Sequence, residues 1–231
     1  MASDQPGDIR PAQPRTRVQA TMPDGRVFEA PLGTPVGDVL REACGELPQP
    51  CMAAIVDGRL RELTYALAGD ATLAPLDATT ADGVRIYRRS LSFLMLVAFD
   101  EVFPGSEIFI EHSAATAAGY YCEVRGRRQF TAGQLQAVAR RMREIVADDA
   151  PFVRERVSRA EAIAVYESRG EDDKARLLAH RDRDVLTLYR LRGRRDYLQG
   201  YMAPSTGCLA HFALHALPTG FMLQFPHQRQ P

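Results

Sequence analysis

Hydrophobic and polar residues alternate through the first part of the chain in a pattern that predicts a small sheet and one helix. Residues 17–22 alternate as a strand, the Pro-Asp-Gly at 23–25 is typical of a hairpin turn, and residues 27–30 return as a second strand. Thr34 is expected to cap a helix that begins at Pro35, with apolar residues spaced for one buried face.

Two more strands are predicted before the middle of the chain. Residues 52–56 form an apolar run typical of a buried strand, and Asp57-Gly58 is a second tight turn. Residues 59–63 are expected to be extended, and residues 84–87 are expected to form the last strand of this unit. The order strand, hairpin, strand, helix, strand, strand predicts a small β-grasp-like unit.

The second part of the chain opens with a predicted helix from Arg89 to about Phe103. It is almost wholly apolar after Ser92, and Pro104-Gly105 ends it. Because a helix that is apolar on all sides has to be buried, we expect it to be the central helix of the fold.

The remaining elements predict an antiparallel sheet around that helix. Capping boxes at Thr131 and Ser158 predict helices to about residues 147 and 168, and residues 174–180 indicate a short helix. Strands are expected at residues 107–111, 120–124, 152–157, 185–192, 208–217 and 221–225. The predicted fold class is α+β, with a buried central helix against an antiparallel sheet.

Composition narrows the possible functions. The chain has 231 residues, 45% of them hydrophobic and 25% charged, with a formal net charge of zero. These values are ordinary for a globular protein and give no overall basic character, so any RNA would have to use a local patch. The polar, Pro-rich start has no apolar core of a signal peptide, and no run is long enough for a membrane helix, which favours a cytoplasmic protein.

Residues 16–87 resemble the TGS domain. The matching segments are Met-Pro-Asp-Gly-Arg at 22–26, Gly-Thr-Pro-Val at 33–36 and Ala-Ile-Val-Asp-Gly at 54–58. The resemblance implies a β-grasp fold. It does not fix a role, since TGS units bind RNA or small ligands in some proteins and are spacers in others.

The stretch from Asp196 to Gly207 resembles the second-site loop of threonyl- and alanyl-type tRNA synthetase editing domains. That loop has the pattern Asp-Leu-Cys-Arg-Gly-Pro-His-Val-Pro-x-Thr-Gly. Five of its positions are kept here, namely Asp196, Gly200, Pro204, Thr206 and Gly207. The order of segments over 89–226 resembles the second additional domain of threonyl-tRNA synthetase. The resemblances imply a tail at 1–15, a TGS-like unit at 16–88, an editing-like domain at 89–226 and a tail at 227–231.

The side chains that carry the chemistry in that family are replaced. The resemblance places its four His and Cys positions at Arg89, Phe93, Leu198 and Met202, which offer no nucleophile, no base and no zinc ligand. Lys174 and Asp196 match family cleft positions. His211 and His215 have His-x-x-x-His spacing, but such positions in a strand lie about 13 Å apart, too far for one metal. We therefore expect no catalytic residue, metal or cofactor.

The frame of the editing domain still predicts a binding cleft. Its expected lining is Arg89, Ser92, Phe93, Lys174, Asp196, Leu198, Tyr201, Met202, Ser205 and Thr206. A second candidate, for phosphate or RNA, is formed by the arginines of two Arg-Gly-Arg-Arg turns, namely Arg125, Arg127, Arg128, Arg192, Arg194 and Arg195. These arginines are also explained as solvated turn charges. Four tyrosines could stack on bases, although such residues are more often core or rim residues: Tyr120, Tyr121, Tyr197 and Tyr201.

The combination also resembles the N-terminal half of bacterial uridine kinase-like proteins of the phosphoribulokinase family. The carrying segments are Arg-Ser-Leu-Ser-Phe-Leu at 89–94 and Tyr-Met-Ala-Pro-Ser-Thr-Gly at 201–207. This resemblance implies a following kinase domain in full-length relatives. It favours a non-catalytic regulatory module that binds a nucleotide, an amino acid or a tRNA acceptor end. The alternative is a trans-acting aminoacyl-tRNA deacylase.

Overall fold

The computed structural model describes residues 13–45, 50–111, 119–126 and 129–226. Its first unit is a five-stranded sheet with one helix. The elements are β1 (Arg17–Thr21), β2 (Val27–Pro31), α1 (Val36–Cys44), β3 (Cys51–Val56), β4 (Arg59–Arg61) and β5 (Ala71–Asp77). The strand order is β2-β1-β5-β3-β4. The β1–β5 pair is parallel and the other pairs are antiparallel.

Alternation and turn chemistry account for most of this unit. Val18 and Ala20 of β1 are buried under α1, as the period of two predicts. Asp57 and Gly58 have φ of 48° and 72°, which gives the tight β3–β4 turn its twist. The prediction that Thr34 caps α1 is wrong. The N-cap residue is Pro35, which makes no side-chain cap, and the Thr34 hydroxyl donates to Pro31 O at 2.8 Å.

The strand predicted at residues 84–87 is also wrong, because these residues belong to the long helix α2 (Ala81–Val102). Thr80 caps this helix by accepting from Gly83 N at 3.0 Å, so the helix begins eight positions before the expected Arg89. The sheet position of the missing strand is taken by β5, which was not predicted. The expected boundary between residues 88 and 89 falls within α2, and the division into two domains stays a prediction.

The second unit contains two antiparallel sheets rather than one. Its elements are β6 (Glu107–Glu111), β7 (Gly119–Arg125), α3 (Ala132–Ala147), β8 (Val153–Ser158), α4 (Arg159–Glu167), α5 (Asp172–Ala179), β9 (Val185–Leu191), β10 (Arg194–Asp196), β11 (Ala213–Leu217) and β12 (Gly220–Gln224). One sheet has the order β10-β9-β8 and the other β11-β12-β7-β6. The strand predicted at 208–217 is shortened, because residues 206–208 form a 3-10 turn and the strand begins at Ala213.

Helix α2 is the centre of the core, as its composition predicts. Phe93, Leu94 and Phe99 are at most 1% exposed. The ring of Phe99 lies 5.0 Å from that of Phe130 and 5.3 Å from that of Phe221, centroid to centroid, which joins the helix to the second sheet. The α+β class is confirmed. None of the described helices has the length and apolar character needed to cross a bilayer.

Candidate functional site

The loop from Asp196 to Gly207 is anchored at both ends by buried polar side chains. At its start, Asp196 accepts from the Tyr166 hydroxyl at 2.5 Å and pairs with Arg194 at 3.1 Å. At its end, the fully buried Thr206 hydroxyl donates to Ile145 O at 2.7 Å and accepts from Ala150 N at 2.9 Å. The residues shared with the editing-domain pattern therefore hold the loop in place.

Helix α2 holds the middle of the loop. Arg89 donates from Nη1 to Tyr201 O at 2.5 Å, and Ser90 Oγ accepts from Ala203 N at 2.8 Å. Gly200 has φ of 94°, and a Cβ there would lie 2.8 Å from the Arg89 guanidinium carbon. The positive φ favours glycine at this position, and its missing side chain leaves room for the guanidinium.

The expected cleft residues separate into two groups. Phe93, Met202 and Thr206 are at most 2% exposed and Ser92 is 7% exposed, so these side chains belong to the interior. Ser205 lies in a short bridge to Pro151. Leu198 and Tyr201, by contrast, line a cavity on the surface of the described chain.

That cavity is a groove of about 350 Å³ along β9 and the loop. A second cavity of about 250 Å³ lies beside it and shares the walls Arg154 and Tyr201. We call the two together the arginine–tyrosine groove. Its charged and aromatic lining residues are Arg61, Glu62, Tyr65, Arg154, Arg156, Arg183, Tyr189, Tyr197 and Tyr201.

Guanidinium and phenol groups are paired along this groove. The Arg61 Cζ lies 5.1 Å from the Tyr65 ring centroid, and the Arg154 Cζ lies 5.7 Å from that of Tyr201. Glu62 is the one carboxylate among the described lining residues, and it accepts a hydrogen bond from the Tyr189 hydroxyl. Burial raises the pKa of Glu62, against the opposing effects of the Tyr189 hydroxyl and the Arg154 charge.

Most of these groove residues were missed by the sequence analysis. One signal was present: Arg154 and Arg156 alternate in a strand and therefore share a face of β8. Arg61 and Tyr65 come from the first unit and have no motif, so only the packing of the two units brings them to Tyr201.

The two residues that match family cleft positions, Lys174 and Asp196, lie on either side of Tyr166. The Lys174 Nζ is 5.5 Å from the Tyr166 ring centroid and 2.5 Å from Glu171 Oε2. Burial alone would raise the pKa of Asp196, but the charges of Lys174 and Arg194 outweigh it and lower that pKa. This carboxylate is therefore an anion held in a buried network beneath the loop.

The arginines of the two Arg-Gly-Arg-Arg turns are paired with carboxylates. Arg127 and Arg128 lie outside the described residues. The others have these partners: Arg125 with Glu123 at 3.5 Å, Arg192 with Glu101 at 2.7 Å, Arg194 with Asp100 at 2.7 Å, and Arg195 with Glu155 at 2.9 Å. A phosphate at these four arginines would have to compete with the protein's own acids.

Outside the groove, the tyrosine, histidine and cysteine side chains considered next are hydrogen-bonded within the fold or buried. The hydroxyl of Tyr87 donates to His211 O at 2.7 Å, and the His215 ring contacts Gln224 at 2.6 Å. Burial raises the pKa of the Cys122 thiol to about 12 and also raises that of Cys208. Within the described ranges, no three His, Cys, Asp or Glu side chains are grouped to hold a metal ion.

The chain is similar to threonine–tRNA ligases. It is 34% identical to that of Cupriavidus necator over 198 residues, 32% identical to that of a Polaromonas species over 199 residues, and 34% identical to that of Acidithiobacillus ferrooxidans over 197 residues. These matches cover 84–85% of the chain but only 30–31% of each ligase. No protein-family model matches the chain. The relatives do not show the uridine kinase-like context. Over most of its length the chain is therefore related to threonine–tRNA ligases, and it spans about a third of the length of these relatives.

Proposed function

We propose that this chain binds the aminoacylated 3′ end of tRNA in trans, in the arginine–tyrosine groove. The observation that carries the proposal is the concentration of four arginines and four tyrosines along that groove in a chain with no net charge. Guanidinium groups bind phosphates through paired donors, and tyrosine rings stack on unpaired bases. The relationship to threonine–tRNA ligases supports a tRNA-directed function over the uridine kinase-like regulatory interpretation.

The dimensions of the groove agree with such a ligand. Its two cavities, about 350 and 250 Å³, adjoin each other and together fall within the range of about 300–1,000 Å³ that is typical of ligand sites. Tyr65 and Tyr201 stand at the second cavity, and Tyr197 and Tyr201 at the first. A short single strand could therefore keep contact with tyrosine rings along both.

Hydrolysis of the aminoacyl ester is the second candidate, and the relationship to the ligases favours it. In the groove, Glu62 is the lining carboxylate best placed to orient a water, since its raised pKa makes it a better proton acceptor than an ordinary glutamate. The guanidinium of Arg154 lies 3.7 Å from Glu62 and could stabilise negative charge that develops on the ester oxygen. The family's His and Cys positions contribute nothing here.

Binding is tested by fluorescence anisotropy with a labelled RNA hairpin that ends in single-stranded CCA. We expect Arg154→Gln and Arg61→Gln each to weaken binding about ten- to hundredfold, as expected for loss of one charge-assisted contact. The control is Arg140→Gln, an exposed arginine of α3 that does not line the groove. Equal affinity in all four proteins, or no binding by the wild type, would contradict the proposal.

Hydrolysis is tested by release of labelled amino acid from mischarged tRNA. The wild type is compared with Glu62→Gln, which keeps an acceptor for the Tyr189 hydroxyl but cannot take a proton. We expect release above buffer in the wild type and a loss of at least about tenfold in the variant, within the usual contribution of a general base. No release above buffer by the wild type removes hydrolysis and leaves binding alone.

A further inference from the structure

The guanidinium of Arg89 differs from those of Arg194 and Arg141, which also lie partly buried beside helix α2. It is half-buried on α2, and no carboxylate pairs with it among the described residues. Arg194 and Arg141, by contrast, pair with Asp100 and Glu101 at 2.7 and 2.6 Å. A half-buried positive charge without a counter-ion is costly, so its presence requires a reason.

Arg89 is not itself a lining residue of the two cavities, but it lies directly behind two residues that are. Its Nη1 donates to Tyr201 O, and its guanidinium lies against Gly200, and both of these residues line the 350 Å³ cavity. A guanidinium has five N–H donors, and the carbonyl of Tyr201 is the one acceptor given to it by the described residues. Several donors therefore remain for a ligand.

A second polar group lies one helical turn away. Ser92 is 7% exposed, and its Oγ has no hydrogen-bond partner among the described residues. Positions 89 and 92 are i and i+3 on α2, and therefore share a face of the helix. Buried hydroxyls are normally hydrogen-bonded, so this unsatisfied group on the same helix face as Arg89 also indicates a missing partner.

We propose that Arg89, with Ser92 and the Gly200–Tyr201 turn, forms a phosphate-binding site at the wall of the groove. This deepens the proposed function, on which the choice of an RNA ligand rests: the phosphate would be that of the terminal nucleotides of tRNA. A free nucleoside monophosphate carries the same phosphate group. In either case the incoming anion supplies a counter-ion that the described residues do not provide for Arg89.

The site is tested by calorimetric titration with two probes, AMP and the trinucleotide CCA. The variants are Arg89→Gln, which removes the charge, and Arg89→Lys, which keeps it without the planar fork. The matched control is Arg85→Gln, one turn earlier on the same helix, where the arginine is exposed and pairs with Asp82. We expect Arg89→Gln to bind CCA about ten- to hundredfold more weakly, Arg89→Lys to lie in between, and Arg85→Gln to match the wild type.

The outcomes separate this site from the proposed function. Binding of AMP but not CCA, lost in Arg89→Gln, would support the phosphate site and contradict the tRNA proposal. Equal binding of CCA by the wild type and Arg89→Gln would overturn the phosphate site and leave the tRNA proposal standing. Binding of neither probe would overturn both. Melting temperatures of all four proteins, which we expect to be unchanged or higher in Arg89→Gln, show that lost binding does not reflect unfolding.

Discussion

At the residue scale, Arg194 is paired with carboxylates, whereas no described carboxylate pairs with Arg89. We therefore expect substitution of the two arginines to change the free energy of unfolding in opposite directions. Arg194 is 10% exposed in its side chain and lies between Asp100 and Asp196. Removing it leaves two acids without their closest cation, so Arg194→Met is expected to lower the free energy of unfolding by about 3–5 kcal/mol. Urea denaturation measures this effect.

The same replacement at Arg89 should not destabilise the fold. Arg89 has no carboxylate partner among the described residues, so no ion pair offsets the cost of desolvating its charge. Arg89→Met removes that cost and loses one hydrogen bond, to Tyr201 O. We expect an unfolding free energy equal to or above that of the wild type. The exposed Arg140→Met serves as a control, with a change within about 0.5 kcal/mol. Strong destabilisation of Arg89→Met would show that this charge serves the fold and not a ligand.

Asp196 is expected to make the free energy of unfolding fall at acidic pH. Although burial alone would raise its pKa, the charges of Lys174 and Arg194 hold the folded-state pKa below the ordinary value of 3.8. The folded state therefore binds fewer protons than the unfolded state in this range, and the stabilisation is full above about pH 4 and is lost as pH falls through the folded pKa.

The Asp196→Asn variant isolates this contribution. It keeps an acceptor for the Tyr166 hydroxyl but removes the charge, so we expect lower stability than the wild type at pH 7 and a shallower fall below pH 4. Chemical denaturation at pH steps from 7 to 2.5 gives both curves. Parallel curves below pH 4 would show that another carboxylate is responsible.

At the scale of elements, the first turn of α2 is fitted closely to the end of β5. A Cβ at Gly83 would lie 1.8 Å from Asp77 O, a backbone atom that cannot turn aside. Gly83→Ala is therefore expected to destabilise the protein by about 1–3 kcal/mol, as overpacking does. Gly133 in the first turn of α3 is the matched control, because nothing lies within 4 Å of its Cβ position. Gly133→Ala should be neutral or stabilising by up to about 1 kcal/mol.

At the scale of the whole molecule, the arginine–tyrosine groove depends on the packing of both units. Arg61 and Tyr65 come from the first unit, and Arg154 and Tyr201 from the second. The partly buried Glu62 carboxylate accepts from the Tyr189 hydroxyl and so joins the two units within the groove itself. A change that displaces the first unit from the second is therefore expected to weaken binding.

The salt dependence of RNA binding tests whether both units contribute charge. Each phosphate contact to a single strand adds about −0.7 to the slope of log K against log salt concentration. We expect Arg61→Gln and Arg154→Gln each to reduce that slope by about 0.7, and Arg140→Gln to leave it unchanged. If Arg61→Gln keeps the wild-type slope, the first unit does not contact the phosphates.

Local chemistry alone determined much of the secondary structure. The apolar body of α2, the Asp57-Gly58 turn and the Thr131 cap of α3 follow from side-chain type and spacing. The strand prediction for residues 84–87 was wrong because four residues are too few to distinguish strand alternation from helical spacing. The Thr80 cap and the packing of Gly83 on β5 decided in favour of the helix.

The sequence also determined that the loop at 196–207 persists without the His and Cys of its family, since residue identity needs no coordinates. Only the tertiary structure decided what that loop faces. It buried Met202 and Thr206 and paired Arg192, Arg194 and Arg195 with acids, while among the described residues no acid pairs with Arg89. Whether a charge is neutralised or free depends on which distant segments pack beside it, and no local pattern in the chain encodes that distance.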